Sequence, residues 1–193
     1  MNHYDSFIQY IQQHNSYSPE EIERACSAFE VEHIASEAEL FRNGERYAKV
    51  VFVVSGVLRV YIVDDSGEEI VKNFVAENDF FADMDSFDKN LPSNLNVSAV
   101  TDCTLLTHSK ATSERMKSQF PNWDYSIKTA ALEATTQMIT KQNFLRIGDS
   151  SDRYRHFVEK FPYLAQRVPL KYVASYLRIT QSSLSRIRKQ GWE

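Results

Sequence analysis

The chain has 193 residues, 42% of them hydrophobic and 12% aromatic, which supports a packed core and argues against disorder. The formal net charge of −4 excludes a protein that attracts polyanions through overall charge. No apolar run approaches the ~18–20 residues needed to cross a bilayer, and the opening MNHYDSFIQY has neither the basic start nor the apolar stretch of a signal peptide, so a cytoplasmic protein with no membrane partner is expected.

Two short helical patterns come first, Tyr4–His14 and Pro19–Phe29. Ser18-Pro19-Glu20-Glu21 reads as a capping box with proline at the first helical position, and Ile22, Cys26 and Phe29 follow on one face. From about Val31 to His108 the chain is β-like. Val50–Val54, Leu58–Val63, Glu69–Val75, Asn96–Val100 and Thr104–His108 are rich in β-branched and aromatic residues, and Asn43-Gly44, Ser55-Gly56 and Asp64-Asp65-Ser66-Gly67 mark turns between them. Alternation in Leu58–Ile62 and Glu69–Phe74 predicts one buried and one wet face, the two runs meeting across a hairpin at Ser66-Gly67. An antiparallel roll or barrel follows.

After His108 the pattern turns helical, with Thr112–Phe120 and then a long segment, Pro121 to about Ile147. In the long segment Ile127, Ala131, Ala134, Met138, Lys141 and Leu145 alternate at spacings of four and three, the seam of a two-helix coiled coil with Lys141 as the polar intruder. The alternative is a helix lying on the roll through Trp123, Tyr125, Leu132 and Phe144. Gly148-Asp149-Ser150-Ser151 then breaks the helix and marks a hinge before Asp152.

Arg167–Trp192, RVPLKYVASYLRITQSSLSRIRKQGW, spells two short amphipathic helices joined by a tight turn. Pro169 suits a first helical position, and Leu170, Val173, Ala174 and Leu177 form one apolar face. Arg178 and Ile179 make the turn, Thr180 is the expected N-cap, and Leu184 and Ile187 give the second helix its buried stripe. The opposite face offers Thr180, Gln181, Ser182, Ser185, Arg186 and Lys189 to base edges and phosphates, as in a helix-turn-helix bound to double-stranded DNA. Charge agrees: residues 161–193 hold six lysines and arginines against Glu193 alone, a balance of +5 that leaves −9 for residues 1–160.

This order of parts resembles the Crp/Fnr family of bacterial transcription regulators. The residues that carry the resemblance are Asn43-Gly44-Glu45, Val53-Val54-Ser55-Gly56-Val57-Leu58-Arg59-Val60 and the ungapped stretch Val168–Lys189. The resemblance implies an α+β fold, in which an antiparallel β-roll of the cyclic-nucleotide-binding type, a double-stranded β-helix, carries flanking helices, a long dimerisation helix and a C-terminal helix-turn-helix. It divides the chain into a sensor domain at 1–110, a linker and dimerisation helix at 111–148 and a DNA-binding domain at 149–193. It further implies a homodimer joined through Ile127, Ala131, Ala134, Met138 and Leu145, an effector between roll and long helix, action with RNA polymerase, and no catalytic residues.

The resemblance lays the family's phosphate-binding cassette on Asp79–Cys103 and so implies an effector pocket at Ala82, Asp83, Met84, Ser93 and Asn94. The Gly-Glu and Arg-Ser pairs of cyclic-nucleotide binders are here Ala82-Asp83 and Ser93-Asn94. Without the arginine, and with Asp79, Asp83, Asp85 and Asp88 nearby, a phosphate anion is not neutralised, so cAMP is not expected and any effector is another small molecule. Cys26 and Cys103 are too far apart for an iron–sulfur or zinc cluster and are expected as buried thiols, and His3, His14, His33, His108 and His156 sit in polar or strand-edge contexts that do not suggest a haem ligand. Asp83–Asp88 lacks the central glycine and closing glutamate of a calcium loop and reads as a solvated acidic loop. No metal site is expected, and the strands offer only His108 toward a cupin-type enzyme.

Three departures touch the DNA reading. Gln181 and Ser182 stand where the family often has an Arg-Glu pair, leaving Arg186 to read guanine and Gln181 to meet adenine or a phosphate. Arg178 occupies a turn position that favours glycine, at a strain of order 1 kcal/mol, and the sequence stops at Glu193 with no room for a β-wing. A signalling module whose C-terminal helices bind protein instead of DNA is the alternative.

Overall fold

A computed structural model describes residues 2–14, 16–119, 123–143, 145 and 148–190. The expected helix limits Phe120, Pro121 and Ile147, and Trp192, lie outside the described residues. The helices α1 (Asp5–His14) and α2 (Pro19–Ser27) lead into eight strands: β1 (Glu30–Ile34), β2 (Glu39–Phe41), β3 (Lys49–Ser55), β4 (Leu58–Val63), β5 (Glu69–Val75), β6 (Phe80–Ala82), β7 (Asn96–Ala99) and β8 (Cys103–Ser109). The helix α3 (Met84–Lys89) interrupts them, and α4 (Lys110–Gln119), α5 (Trp123–Asn143), α6 (Ser150–Lys160), α7 (Pro162–Arg167), α8 (Leu170–Leu177) and α9 (Gln181–Lys189) complete the chain.

The strands form two antiparallel four-stranded sheets, β1-β8-β3-β6 and β2-β7-β4-β5. Alternation works as expected on their inner faces, where Phe41, Val51, Val53, Leu58, Val60, Val97 and Leu105 fill the interior. The predicted hairpin is present, with Asp64 Oδ1 accepting from the amides of Ser66 and Glu68 to close the turn. At the β3–β4 turn only glycine fits: Gly56 has φ +100°, and a Cβ there would lie 2.5 Å from the Asp102 carbonyl oxygen. At α2 the capping box forms as predicted, Ser18 and Glu21 exchanging side-chain and backbone bonds.

The expected wet face of the hairpin is dry. Residues 57–61 are all buried, because α6, α7 and α8 cover the outer side of the sheet β2-β7-β4-β5. Val57, Tyr61, Phe74 and Val100 of the roll share one apolar cluster with Phe157, Leu164, Val173, Tyr176, Leu177 and Leu184 of the C-terminal helices. The outer side of the other sheet is covered by α1, α2, α4 and the start of α5 through Phe7, Phe29, Phe52, Leu106, Met116 and Trp123.

Two further expectations are corrected. Asp83–Asp88 is no loop: Asp83 caps α3 by accepting from the amides of Asp85 and Ser86, and Lys89 pairs with Asp85 one turn back. His108 stands in no polar or strand-edge context, since β8 lies between β1 and β3 and the ring is fully buried between Phe29 and Trp123. Of the expected buried thiols, Cys103 is buried and Cys26 half-buried.

Candidate nucleic-acid interface

Each half of the helix-turn-helix is set by local chemistry. Pro169 is the N-cap of α8 and not its first helical residue, because its ψ of 138° is extended and the helical backbone starts at Leu170. The helix ends at Arg178, whose φ of 56° and ψ of 46° are left-handed. The amide of Ile179 then reaches back to the carbonyl of Ala174 at 3.0 Å, and the Ile179 side chain joins the apolar cluster below. Thr180 caps α9 as expected, its Oγ1 accepting from Ser183 N at 3.1 Å.

Leu184 is fully buried and Ile187 partly so, which fixes the orientation of α9. At ~100° per residue the opposite side is centred on Ser182 and Lys189 and flanked by Gln181, Ser185 and Arg186. Gln181, Ser182, Arg186 and Lys189 are exposed and Ser185 is half-buried, while Thr180 is exposed but committed to its cap. Arg188, left out of the predicted set, is also exposed, although its spacing of four from Leu184 puts it nearer the buried side of the helix than the outward face. Among the described residues no carboxylate pairs with Arg186, Arg188 or Lys189, so their charges face solvent. The surface carries hydroxyls and Gln181 at the N-terminal end of α9 and cations in its last turn, chemistry suited to base edges and phosphates.

The residues that α8 turns toward the roll are polar as well as apolar, and sequence reasoning missed them. Arg59, 5% exposed, lies between the rings of Tyr61 and Tyr172, 4.1 Å from each centroid. Its Nε donates to Ser98 Oγ at 2.7 Å and its Nη1 pairs with Glu69. Burial pushes the Tyr61 phenol up to about 12, helped by its hydrogen bond to Glu39. Arg167 of α7 pairs with Glu77 at 2.8 Å, and Glu77 also accepts from Gly56 N. Burial pushes the Glu77 carboxyl up, but Arg167 and the backbone amides of Glu77 and Gly56 reverse this and leave it below its usual range.

The expected effector residues are only partly brought together. Ala82 and Met84 line a cavity of about 440 Å³ between β6, α3, α4 and α5, walled by Val50, Phe80, Phe87 and Ala130 and rimmed by Asp88, Glu114 and Lys117. Asp83 and Ser93 do not reach it. Asp83 is spent on its cap, Ser93 Oγ on the backbone of Leu95, and Asn94 is exposed elsewhere. The cassette folds on itself: Ser86 Oγ accepts from Tyr47 N and donates to the Leu91 carbonyl, and Ser93 exchanges backbone bonds with Gly44 and Glu45. Among the described residues no cluster of three His, Cys, Asp or Glu side chains could hold a metal ion; the side chain of His14 lies outside them.

Part of the expected dimer seam faces the roll, and the alternative face is divided: Trp123 packs on the roll as that alternative had it, while Tyr125 and Leu132 are exposed. Ala131 and Ala134 are half-buried on the cavity wall, since small side chains let α5 approach the roll, and Leu145 packs on the C-terminal cluster. Met138 is 36% exposed, and the side chains of Ile127, Lys141 and Phe144 lie outside the described residues. Tyr125, Leu132 and Ile139, 65%, 67% and 53% exposed, form an apolar line at seven-residue spacing on the side away from the roll.

Residues 31–119, from β1 to the end of α4, match the family model described as cyclic nucleotide-binding domain. The chain is similar in structure to FixK2 from Bradyrhizobium japonicum, with a TM-score of 0.71 at 15% identity over 84% of this chain and 83% of that one. The fold is Crp/Fnr-like. Further likenesses are to the c-di-GMP responsive global regulator CLP of Xanthomonas campestris, with a TM-score of 0.68, 20% identity and coverage of 88% and 89%, and to the Thermus thermophilus catabolite activator protein, with a TM-score of 0.56, 17% identity and coverage of 91% and 84%. No curated protein matches the sequence. Among the described residues no helix is long and apolar enough to cross a membrane.

Proposed function

We propose that this Crp/Fnr-like chain is a homodimeric transcription regulator of the cytoplasm that binds double-stranded DNA through α9 and acts with RNA polymerase. The observation that carries the reading is the outward face of α9, where Gln181, Ser182, Arg186 and Lys189 are exposed and the cations meet no carboxylate among the described residues. Two copies joined along α5 would offer their α9 helices to successive major grooves, about 34 Å apart. The line Tyr125, Leu132, Ile139 supports the pairing: α5 is apolar on two opposite sides, one already covered by the roll. An effector is assigned to the cavity beneath α5, whose mostly apolar wall suits a compact, uncharged carbon skeleton and not a cyclic nucleotide. Regulation, and not catalysis, is the role.

Binding to a panel of duplexes across salt concentrations tests the assignment. Arg186→Ala is expected to flatten sequence preference, at about 1–3 kcal/mol on the preferred site, and Lys189→Ala to lower affinity on all sequences and reduce the salt slope by about 1. Equal loss on all sequences for both variants refutes the role of Arg186, and no duplex binding by the unaltered protein refutes the whole reading. For the pairing, Leu132→Glu is expected to yield monomers in sedimentation equilibrium; an unchanged dimer assigns the contact to another face.

A further inference from the structure

One irregularity in the pairing of β4 with β5 brings a cation of the roll to the end of α9. Across it Val60 pairs with Asn73 and Tyr61 with Val71, so β5 carries one residue more than β4, and that residue is Lys72. A bulge of this kind re-aims a side chain. Lys72 is half-buried and lines a groove of about 850 Å³, together with Lys171 near the start of α8, Arg178 at the turn, and Thr180 and Gln181 at the N-terminal end of α9. We propose that this groove seats a stretch of sugar-phosphate backbone of the bound duplex, so that the roll, through Lys72, is part of the DNA interface. The proposal rests on the DNA-binding reading above and adds a surface to it.

The cations come from separate elements that neutral bonds hold in register. Ser175 of α8 accepts from Val71 N at 3.0 Å and donates to the Glu69 carbonyl at 2.8 Å. β5 is an edge strand, so these two bonds tie its backbone to α8 at the residue next to Lys72. On α8 itself Lys171 is exposed, with its Nζ 4.5 Å from the centroid of the Tyr172 ring. Arg178 adds an exposed guanidinium where α8 ends.

Glu68 and Glu69 also line the groove. Glu69 pairs with Arg59, whose guanidinium is almost wholly buried, so its charge is met from within the fold and Glu68 is left against three cations. The balance favours an anion. Such helices enter the major groove by the N-terminal end, and a phosphate backbone borders that groove on each side. A strand passing Thr180 and Gln181 therefore continues along Arg178, Lys171 and Lys72. Contacts of this kind read no sequence; they set the depth and register at which α9 meets the bases.

The salt dependence of duplex binding by the full chain counts these contacts, because each phosphate neutralised adds about 0.9 to the slope. Lys72→Gln and Lys171→Gln are each expected to lower the slope by about 1 and to weaken binding about three- to tenfold at low salt, equally on all sequences. Lys72→Arg keeps the charge and is expected to keep the slope. Lys89→Gln removes the same charge from α3, outside the groove, and is expected to leave the slope unchanged. Ethylation interference supplies a second measurement: a phosphate whose ethylation weakens binding of the unaltered protein is expected to have no effect on Lys72→Gln. A slope that Lys72→Gln does not change shows that the roll takes no part, and an equal fall in Lys89→Gln assigns the effect to overall charge. Either result overturns the proposal and leaves the role of α9 standing. If the unaltered chain binds no duplex, the DNA-binding reading falls and the groove's role falls with it.

Discussion

The outer faces of the two sheets are covered in opposite ways. Over β1-β8-β3-β6 the cover is aromatic and dry: Phe7 meets Phe29 at 4.7 Å and Phe52 at 5.6 Å, Phe52 meets Phe80 at 4.9 Å, and His108 is the buried ionisable group among them. Over β2-β7-β4-β5 the apolar cluster is bordered by Arg59, Ser98, Glu69, Ser175 and the Arg167–Glu77 pair. One face is built as interior. The other resembles the more polar contacts between units that separate and rejoin. The roll therefore has one side covered by aromatic packing from α1, α2 and the start of α5, and another whose apolar cover is bordered by ion pairs and hydrogen bonds.

The largest effect that can break this comparison is on stability. Phe52→Ala removes a fully buried ring on the aromatic side and is expected to cost about 3–5 kcal/mol in denaturant unfolding. Arg59→Met keeps length and apolar contact while leaving Glu69, whose side chain is 44% exposed, in water; its cost is expected near 1–2 kcal/mol. A larger loss for Arg59→Met than for Phe52→Ala would reverse the assignment of the two sides.

Acid separates them by pH window. Burial lowers the His108 pKa from 6.5, opposed by its bond to the Ala28 carbonyl and aided by the Arg115 charge. The unfolded chain then binds a proton more readily than the folded one, so stability conferred by neutral His108 is present above pH 6.5 and is lost as pH falls from there through the folded-state value. Glu77 is depressed from 4.5, so its contribution with Arg167 persists above pH 4.5 and is lost only as pH falls further. Urea titrations across pH, paired with residue-resolved hydrogen exchange, are expected to show β8 weakening first and the β5 edge later. His108→Gln should abolish the earlier phase, and its persistence would assign that proton to another group.

What the sequence showed and hid follows the same division. The capping box at Ser18, the β4–β5 hairpin, the Thr180 cap and the outward face of α9 were legible because each rests on neighbours within about four residues. The dry outer side of β4 was not, because its cover arrives more than a hundred residues later and the alternating pattern of Leu58–Val63 cannot tell water from a polar interface. The contact of α5 with the roll was hidden for a related reason. Alanines at heptad spacing signal close approach but not to what, and here Ala131 and Ala134 approach the roll while Leu132 and Ile139 stay outside. His108 was misplaced because strand neighbours, and not flanking sequence, decide whether a strand end is wet.

The smallest effect concerns the junction of docked and exposed helices. Arg178 holds φ 56° and ψ 46°, which costs a side chain about 1 kcal/mol that glycine would not incur, and nothing in its own helix end requires arginine, since the closing bonds from Arg178 and Ile179 are made by backbone amides. Arg178→Gly is therefore expected to raise stability by about 0.5–1 kcal/mol, read as a higher denaturant midpoint at constant slope. The same change removes an exposed cation from the groove that holds the N-terminal end of α9, so the salt slope of duplex binding should fall by about 1 if the guanidinium meets a phosphate. Higher stability with weaker, less salt-dependent binding places Arg178 among the residues kept for the ligand at the expense of the fold. Higher stability with binding unchanged would confine the working surface to α9 itself and make the left-handed arginine a strain that the docked side tolerates without use.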